Sequence, residues 1–361
     1  MSEQQLQASK QQITNQVKDY YSNSLNSSAD LKTSACCPAQ APPGYLAPLL
    51  DNIHPQIKDS FYGCGSPLPL AAEGCTVLDL GCGTGRDVYL LSQLVGETGE
   101  VIGIDMTDRP LDIARSHIDW HCDRFAYANP NMRFKKGNIE NLTSCGIKDN
   151  SIDIIISNCV INLSPDKEAV FKEIYRVLKP GGELYFSDVF ADRRLPANLQ
   201  QHKVLLGECL GGALYQGDFD LMMRKVGLTD HRIVSKRPLT VEDKTLHALT
   251  GSTQFYSVTV RSFKLRFEPR RENYGQFARY LGTIIHSPDS FALDQQLQFK
   301  AEVPVSIDGN TAMILNHSRL AQHFKVHGET ELHYGRFDAR FDAPADGKLT
   351  TASTATSGSC C

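Results

Sequence analysis

The chain has 361 residues, 41% of them hydrophobic and 22% charged, a composition of ordinary globular proteins at a length of about two to three domains. Lys and Arg number 37 against 41 Asp and Glu, a net charge of −4 without a basic tail, which argues against nucleic-acid and anionic-membrane partners. The polar start MSEQQLQASKQQ is no secretory signal, and no run approaches the ~18 apolar residues of a membrane span, so a cytoplasmic location is expected.

Residues 1–25 read as an amphipathic helix, with Leu6, Ile13, Val17, Tyr20 and Tyr21 near one face at helical spacing. The Pro-, Gly-, Ser- and Cys-rich stretch that follows reads as loop with short helical pieces, so that 1–72 forms a covering arm. Strands are expected at 75–80, 100–106, 131–136, 151–158 and 183–189. Helices fall between them at 86–95, 108–124 and 167–178, the last broken by KPGG. This alternation predicts a parallel sheet with crossover helices. A helical insertion spans 190–230, and runs at 231–235 and 255–265 read as two strands that close the sheet within a 73–265 domain. Residues 266–343 read as a small, mostly strand-like α+β domain. The Ser/Thr/Gly-rich end, 344–361, reads as disordered. No long heptad suggests assembly, so a monomer is expected.

The segment VLDLGCGTGRD places Asp79, Gly81, Gly83 and Gly85 between a strand and a helix N-terminus. Glycines there let the backbone approach a ligand at the carboxyl edge of the sheet. Asp105 ends the second strand in GIDM, where a carboxylate can accept from both hydroxyls of a ribose, and Met106 beside it can pack on a base. Ile139 and Glu140 in GNIENL stand where an adenine edge can be read. With RVLKPGGELYFSDV before and through the fifth strand, these motifs resemble class I S-adenosylmethionine-dependent methyltransferases. The resemblance implies the Rossmann-like sheet of that class and S-adenosylmethionine as methyl donor.

Eleven cysteines occur, at 36, 37, 64, 75, 82, 122, 145, 159, 209, 360 and 361. No Cys-x-x-Cys pair marks a structural zinc site, and a chain of this length without a signal is no disulfide scaffold. Taken singly, each is more often an inert buried thiol. Three sit in unusual contexts: Cys64 in FYGCGSP, Cys159 in SNCVINL at the end of strand four, and Cys209 in GECLGGALY. Together with DYYSNSLNSSADLKTSACC, LDLGCGTGRD and GIDM, these segments resemble the arsenite methyltransferase family over about residues 17–262, and more loosely beyond.

The resemblance implies that Cys159 and Cys209 bind trivalent arsenic, that Cys64 is the third thiol, and that Cys36 (or its neighbour Cys37) pairs with Cys64 as a redox disulfide. It further implies arsenite and methylarsenite as substrates, thioredoxin or glutathione as reductant, a role in arsenic detoxification, and no metal cofactor. Cys75, Cys82, Cys122 and Cys145 read as structural. The Cys360–Cys361 tail resembles cysteine-rich tails of the family. Tyr20, Tyr21 and Tyr62 either wall a sulfonium or pack as core and lid. Two rivals stand beside this reading: a small-molecule C-methyltransferase, which would need no Cys64/Cys159/Cys209 set, and an arsenic-sequestering thiol protein with a vestigial cofactor site.

Overall fold

The computed structural model describes residues 3–21, 33, 44–60 and 63–337. Strands β1 (Thr76–Leu80), β2 (Glu100–Asp105), β3 (Met132–Lys136), β4 (Ile152–Asn158) and β5 (Leu178–Ala191) pair in parallel. The short β6 (Leu214–Tyr215) adds to the end of β5. Strands β7 (His231–Leu239) and β8 (Phe255–Phe263) complete the order β3-β2-β1-β4-β5-β8-β7, with β8 antiparallel to both neighbours.

Alternation along each strand sends side chains to two separate cores. Leu78, Leu80 and Ile155 pack with Phe171 and Ile174 of α7 (Lys167–Val177) and Phe219 and Met223 of α10 (Gln216–Val226). Val77, Ile154 and Ile156 pack with Val88, Leu91 and Leu94 of α4 (Arg86–Val95) and Leu111 of α5 (Asp108–Ser116) on the other side. The N-terminal helix α1 (Glu3–Asp19) lies over the carboxyl edge, tied down by Lys10 on Asp166 at 2.6 Å and Lys203 on Asp19 at 3.0 Å. Further short helices are α2 (Ala47–Asp51) and α3 (Pro55–Lys58) in the arm, α8 (Ala197–Gln200) and α9 (Lys203–Gly207) in the insertion, and α11 (Lys244–Thr250) between β7 and β8. No described helix is long and apolar enough to cross a membrane.

Three elements depart from the sequence expectation. The fifth strand starts at Leu178, before KPGG, and the register jumps from Ile152↔Leu178 to Ile154↔Glu183. The glycines bulge out of the strand there, and a Cβ on Gly181 would lie 2.1 Å from the His317 carbonyl oxygen. The expected 108–124 helix is two helices, α5 and α6 (Ile118–Phe125), broken at His117. The cause is tertiary: His54 of the arm stacks on His117 at 3.9 Å and donates its backbone N–H to His121 Nε2 at 3.3 Å. The helix α11 was not anticipated.

His121 is fully buried and stacked 3.6 Å from the ring of Tyr89, with its Nδ1 on the His117 carbonyl at 2.7 Å. Accepting at Nε2 and donating at Nδ1 fixes a neutral ring, and burial lowers its pKa from 6.5 to about 4. Between those values the unfolded chain binds the extra proton. Stability is therefore full above pH 6.5 and falls as pH drops toward 4, by about 3 kcal/mol in all. Chemical denaturation of His121→Phe across that window is expected to show a shallower loss than the parent; parallel curves would remove His121 as the titrating group.

Residues beyond β8 form a small sheet, β12 (Pro304–Ser306), β9 (Phe277–Tyr280) and β13 (Phe324–His327), beside a hairpin of β10 (Ser290–Ala292) and β11 (Gln298–Lys300) and the helix α12 (Gly309–His317). Its core of Tyr280, Phe291, Phe299 and Leu315 includes Phe263 of β8 and Ala71 of the arm. Two buried ion networks join it to the main sheet. Glu183 of β5 accepts from Arg261 and Arg319, and Arg232 of β7 meets Asp230, Asp294 and Asp308.

Candidate active site: a cofactor cleft beside a cysteine cluster

The GCGTG loop leaves β1 at the carboxyl edge, with Gly81 at φ +77°, Gly83 at φ +52° and Gly85 at φ +87°. The three glycines serve different ends. A Cβ on Gly81 would strike Val160 at 2.4 Å and one on Gly85 would strike Phe134 at 2.7 Å, whereas Gly83 faces open space. The Gly83 N–H donates to Asp105 at 2.9 Å, and Thr107 donates its backbone N–H at 2.8 Å and its hydroxyl to the other carboxylate oxygen. Asp105 is thereby aimed from the end of β2 before any ligand arrives.

One cleft runs along this edge. It is lined by Asp79, Gly81, Gly83, Asp105, Met106, Ile139 and Glu140, seven of the nine residues expected to hold the cofactor. Gly85 packs behind the loop instead, and Tyr62 lies outside the described residues. Sequence reasoning missed Thr14 and Val17 of α1, Ser60, Arg86, Asp87, Asn158 and Ser164 in the wall; Tyr21 lines it as well. Tyr20 does not: it is buried and donates to Glu208 at 3.1 Å. Cys82, read as structural, touches the cleft, and burial pushes its thiol well up, away from thiolate reactivity. Asp79, Asp87 and Asp105 crowd one another. Burial raises the Asp79 pKa well above the ordinary carboxylate value, and the charges of Asp87 and Asp105 raise it further. An open glycine cradle, a pre-aimed carboxylate at the strand end and this excess of carboxylates fit a nucleoside carrying cationic groups.

The far end of the cleft meets the cysteines. Cys159 follows β4, and Cys209 follows α9 in the insertion. Both are buried, and both hold positive φ, +59° and +65°. Such backbone is uncommon for a residue with a Cβ and costs about 1–3 kcal/mol, a strain that clusters at functional sites. Cys209 Sγ donates to the Cys159 carbonyl at 2.9 Å, and the Asn162 amide donates to the carbonyls of Val189 and Cys209 at 2.7 and 3.4 Å. The sulfurs of Cys159 and Cys209 and a carboxylate oxygen of Asp188 lie within 4.8 Å of one another.

Cys64 completes the group. Arg237 and Ser257 donate to its carbonyl at 3.0 and 2.7 Å, and Asn158 bonds both backbone groups of Gly65, at 3.3 and 3.0 Å. These grips bring its Cα to 5.8 Å from that of Cys159, and the two sulfurs form a disulfide. The expected partner of Cys64 is Cys36 or its neighbour Cys37. In this structure it is Cys159, because the pinned loop sets Cys64 against the end of β4; Cys36 and Cys37 lie outside the described residues, as do Cys360 and Cys361. Cys75, Cys82, Cys122 and Cys145 are free and buried, and Cys209 is buried.

Asp188, on β5, was not singled out in the sequence. It is fully buried and accepts from the backbone N–H groups of Asn162 at 3.0 Å and Val189 at 2.9 Å. Burial pushes its pKa up to about 7, against the opposing pull of those N–H groups and of nearby Lys167.

The strand order, the glycine loop and the acidic end of β2 define a class I S-adenosylmethionine-dependent methyltransferase. Known proteins narrow this further. A family model described as a methyltransferase domain matches residues 71–227, and one described as the arsenite methyltransferase C-terminal domain matches residues 275–361. An arsenite methyltransferase of Aquipseudomonas alcaligenes is 49% identical over 89% of this chain and 93% of its own, and one of Mus musculus is 45% identical over 87% and 83%. A crystal structure of an arsenic(III) S-adenosylmethionine methyltransferase from Chlamydomonas reinhardtii superposes with a TM-score of 0.80 at 47% identity, covering 82% of this chain and all of that one. The chain belongs to the arsenite methyltransferase family.

Proposed function

We propose that this protein methylates arsenite held by the thiolates of Cys64, Cys159 and Cys209, and then methylarsenite held by Cys159 and Cys209, in arsenic detoxification in the cytoplasm. The observation that carries this reading is the convergence of three cysteines from three separate segments at the end of the methyl-donor cleft. Trivalent arsenic is thiophilic, and thiolates select it as they select soft metals. Three sulfurs displace its oxygen ligands as water and leave a lone pair, the nucleophile, on the opposite side. S-adenosylmethionine, when bound, supplies an electrophilic methyl on a sulfonium. Asp105 would accept from its ribose hydroxyls, Ile139 and Glu140 would meet its adenine, and Tyr21 stands in the same wall.

Arsenic carries no proton to remove, so no general base is needed for methyl transfer. What the chain contributes is position, which lowers a barrier by about 7–11 kcal/mol when two reactants are held in line. Methylation leaves arsenic formally pentavalent. Two thiolates that close a disulfide return the two electrons, and an external dithiol such as thioredoxin, or glutathione, must reopen it. The Cys64–Cys159 bond supports such a step and leaves open a second pairing with Cys36.

The test is product speciation with purified protein, arsenite, S-adenosylmethionine and a thiol reductant. Methylated arsenicals are expected, and none when the reductant is omitted. A protein that binds the methyl donor yet makes no methylated arsenic would return the reading to a small-molecule C-methyltransferase.

A further inference from the structure

Asp188 is hard to account for by arsenite chemistry alone. Trivalent arsenic is satisfied by three sulfurs, yet a fully buried carboxylate shares the volume of Cys159 and Cys209. Its hydrogen bonds come from neutral backbone N–H groups, those of Asn162, Val189 and Ile161. The nearest basic side chain, Lys167, places its Nζ on the carbonyls of Asn162 and Ser164 at 3.0 and 3.1 Å rather than on the carboxylate. Among the described residues no ion pair involves Asp188. A carboxylate in such a place favours a cation in contact with it.

From this we infer that the same centre is a binding site for a thiophilic divalent cation of the zinc class, with Cys159, Cys209 and Asp188 as ligands. Two sulfurs and one carboxylate oxygen are a donor set of tetrahedral zinc. Ideal zinc distances put two thiolates about 3.8 Å apart on an edge of the tetrahedron, inside the 4.8 Å that encloses the three donors here. The hydrogen bonds of Asn162 and Val189 orient the carboxylate as outer partners orient metal ligands. Once the Cys64–Cys159 bond is reduced, Cys64 is the fourth donor at hand. The cation displaces the thiol protons to the buffer, and no electron moves. The proposal shares two sulfurs with the arsenite reading, and it makes the cation a competitor of arsenite.

The probe is Co2+, with Zn2+ as displacer, added to full-length protein reduced with a phosphine under nitrogen. Cys36, Cys37, Cys360 and Cys361 are serine in this background, so that no other described or terminal cluster answers. One equivalent of Co2+ is expected to give thiolate-to-cobalt charge-transfer absorption, which Zn2+ removes. Prior addition of arsenite is expected to block it. In Cys209→Ser the band should vanish, and in Asp188→Ala the cation affinity should fall at least about tenfold. Calorimetric binding of S-adenosylmethionine reports whether each variant is folded, and Asp188→Asn, which keeps the shape, replaces Asp188→Ala if that variant is not. No charge-transfer band, a band that survives Cys159→Ser with Cys209→Ser, or an unchanged affinity in folded Asp188 variants would each overturn the proposal. Cation binding without any arsenite methylation would sink the functional reading and leave this one standing.

Discussion

Cys209→Ser is expected to lower the rate of arsenite methylation at least about 1000-fold while S-adenosylmethionine binding stays within about threefold of the parent, an effect of the size that lost positioning commands. Serine offers a hard, neutral hydroxyl in place of a soft thiolate, so arsenic loses one of the sulfurs that would anchor it. The fold should survive. Cys209 is buried among Leu163, Leu205 and Leu206, and the substituted hydroxyl can still donate to the Cys159 carbonyl that the thiol now reaches. Cys209 is also the better of the two probes. Cys159 lines the cofactor cleft, whereas Cys209 is absent from its wall, so a defect in Cys209→Ser separates arsenic from the methyl donor. Speciation of products at saturating donor, with calorimetry beside it, makes the measurement. Methylation within tenfold of the parent would remove Cys209 from the arsenic site.

The parts of this site that were legible in the sequence are those whose chemistry is local. Gly81, Gly83 and Asp105 declare themselves because a turn of positive φ and a strand-end carboxylate follow from neighbouring residues alone. Cys64, Cys159 and Cys209 became a group only through resemblance, since nothing in their spacing brings three distant segments together. Asp188 was hidden by its surroundings. Nothing in the motif FSDV marks its Asp as buried; it is fully buried, and the backbone N–H of Asn162 donates to it. The pairing of Cys64 was equally out of reach, because connectivity among many cysteines does not follow from their order. It depends on grips by Asn158, Arg237 and Ser257, which come from β4, β7 and β8. The break at His117 shows the same limit from the other direction: the helical period continues through it, and contacts with the arm override it.

Arg232→Met is expected to destabilise the protein by about 3–5 kcal/mol, the range for removing one partner of a buried ion network. The guanidinium is 1% exposed and reaches three carboxylates: Asp230 at 2.9 Å, Asp294 at 3.2 Å and Asp308 at 3.9 Å. Burial alone disfavours its charge, and Asp230 and Asp308 more than restore it. Each distant carboxylate has a second duty. Asp294 accepts from the backbone of Gln296 and Leu297 in the turn between β10 and β11, and Asp308 caps α12 through the Thr311 N–H at 2.9 Å. Arg232 therefore fastens two turns of the C-terminal unit to the outer strand of the main sheet. Methionine fills the volume but leaves three buried carboxylates without their shared guanidinium, with the charge of Arg271 still acting on Asp230. Adding Asp230→Asn and Asp294→Asn to Arg232→Met should recover much of the loss, because one buried charge, that of Asp308, then remains where three stood. Denaturant titration of the three proteins measures this. Activity should suffer as well, since Arg237, further along the same strand, holds the Cys64 carbonyl, and Ser257 holds it from the neighbouring β8. If Arg232→Met unfolded within about 1 kcal/mol of the parent, the network would be a by-product of packing. The C-terminal unit would then be held by its apolar contacts with Phe263 and Ala71 and by the Glu183–Arg319 pair.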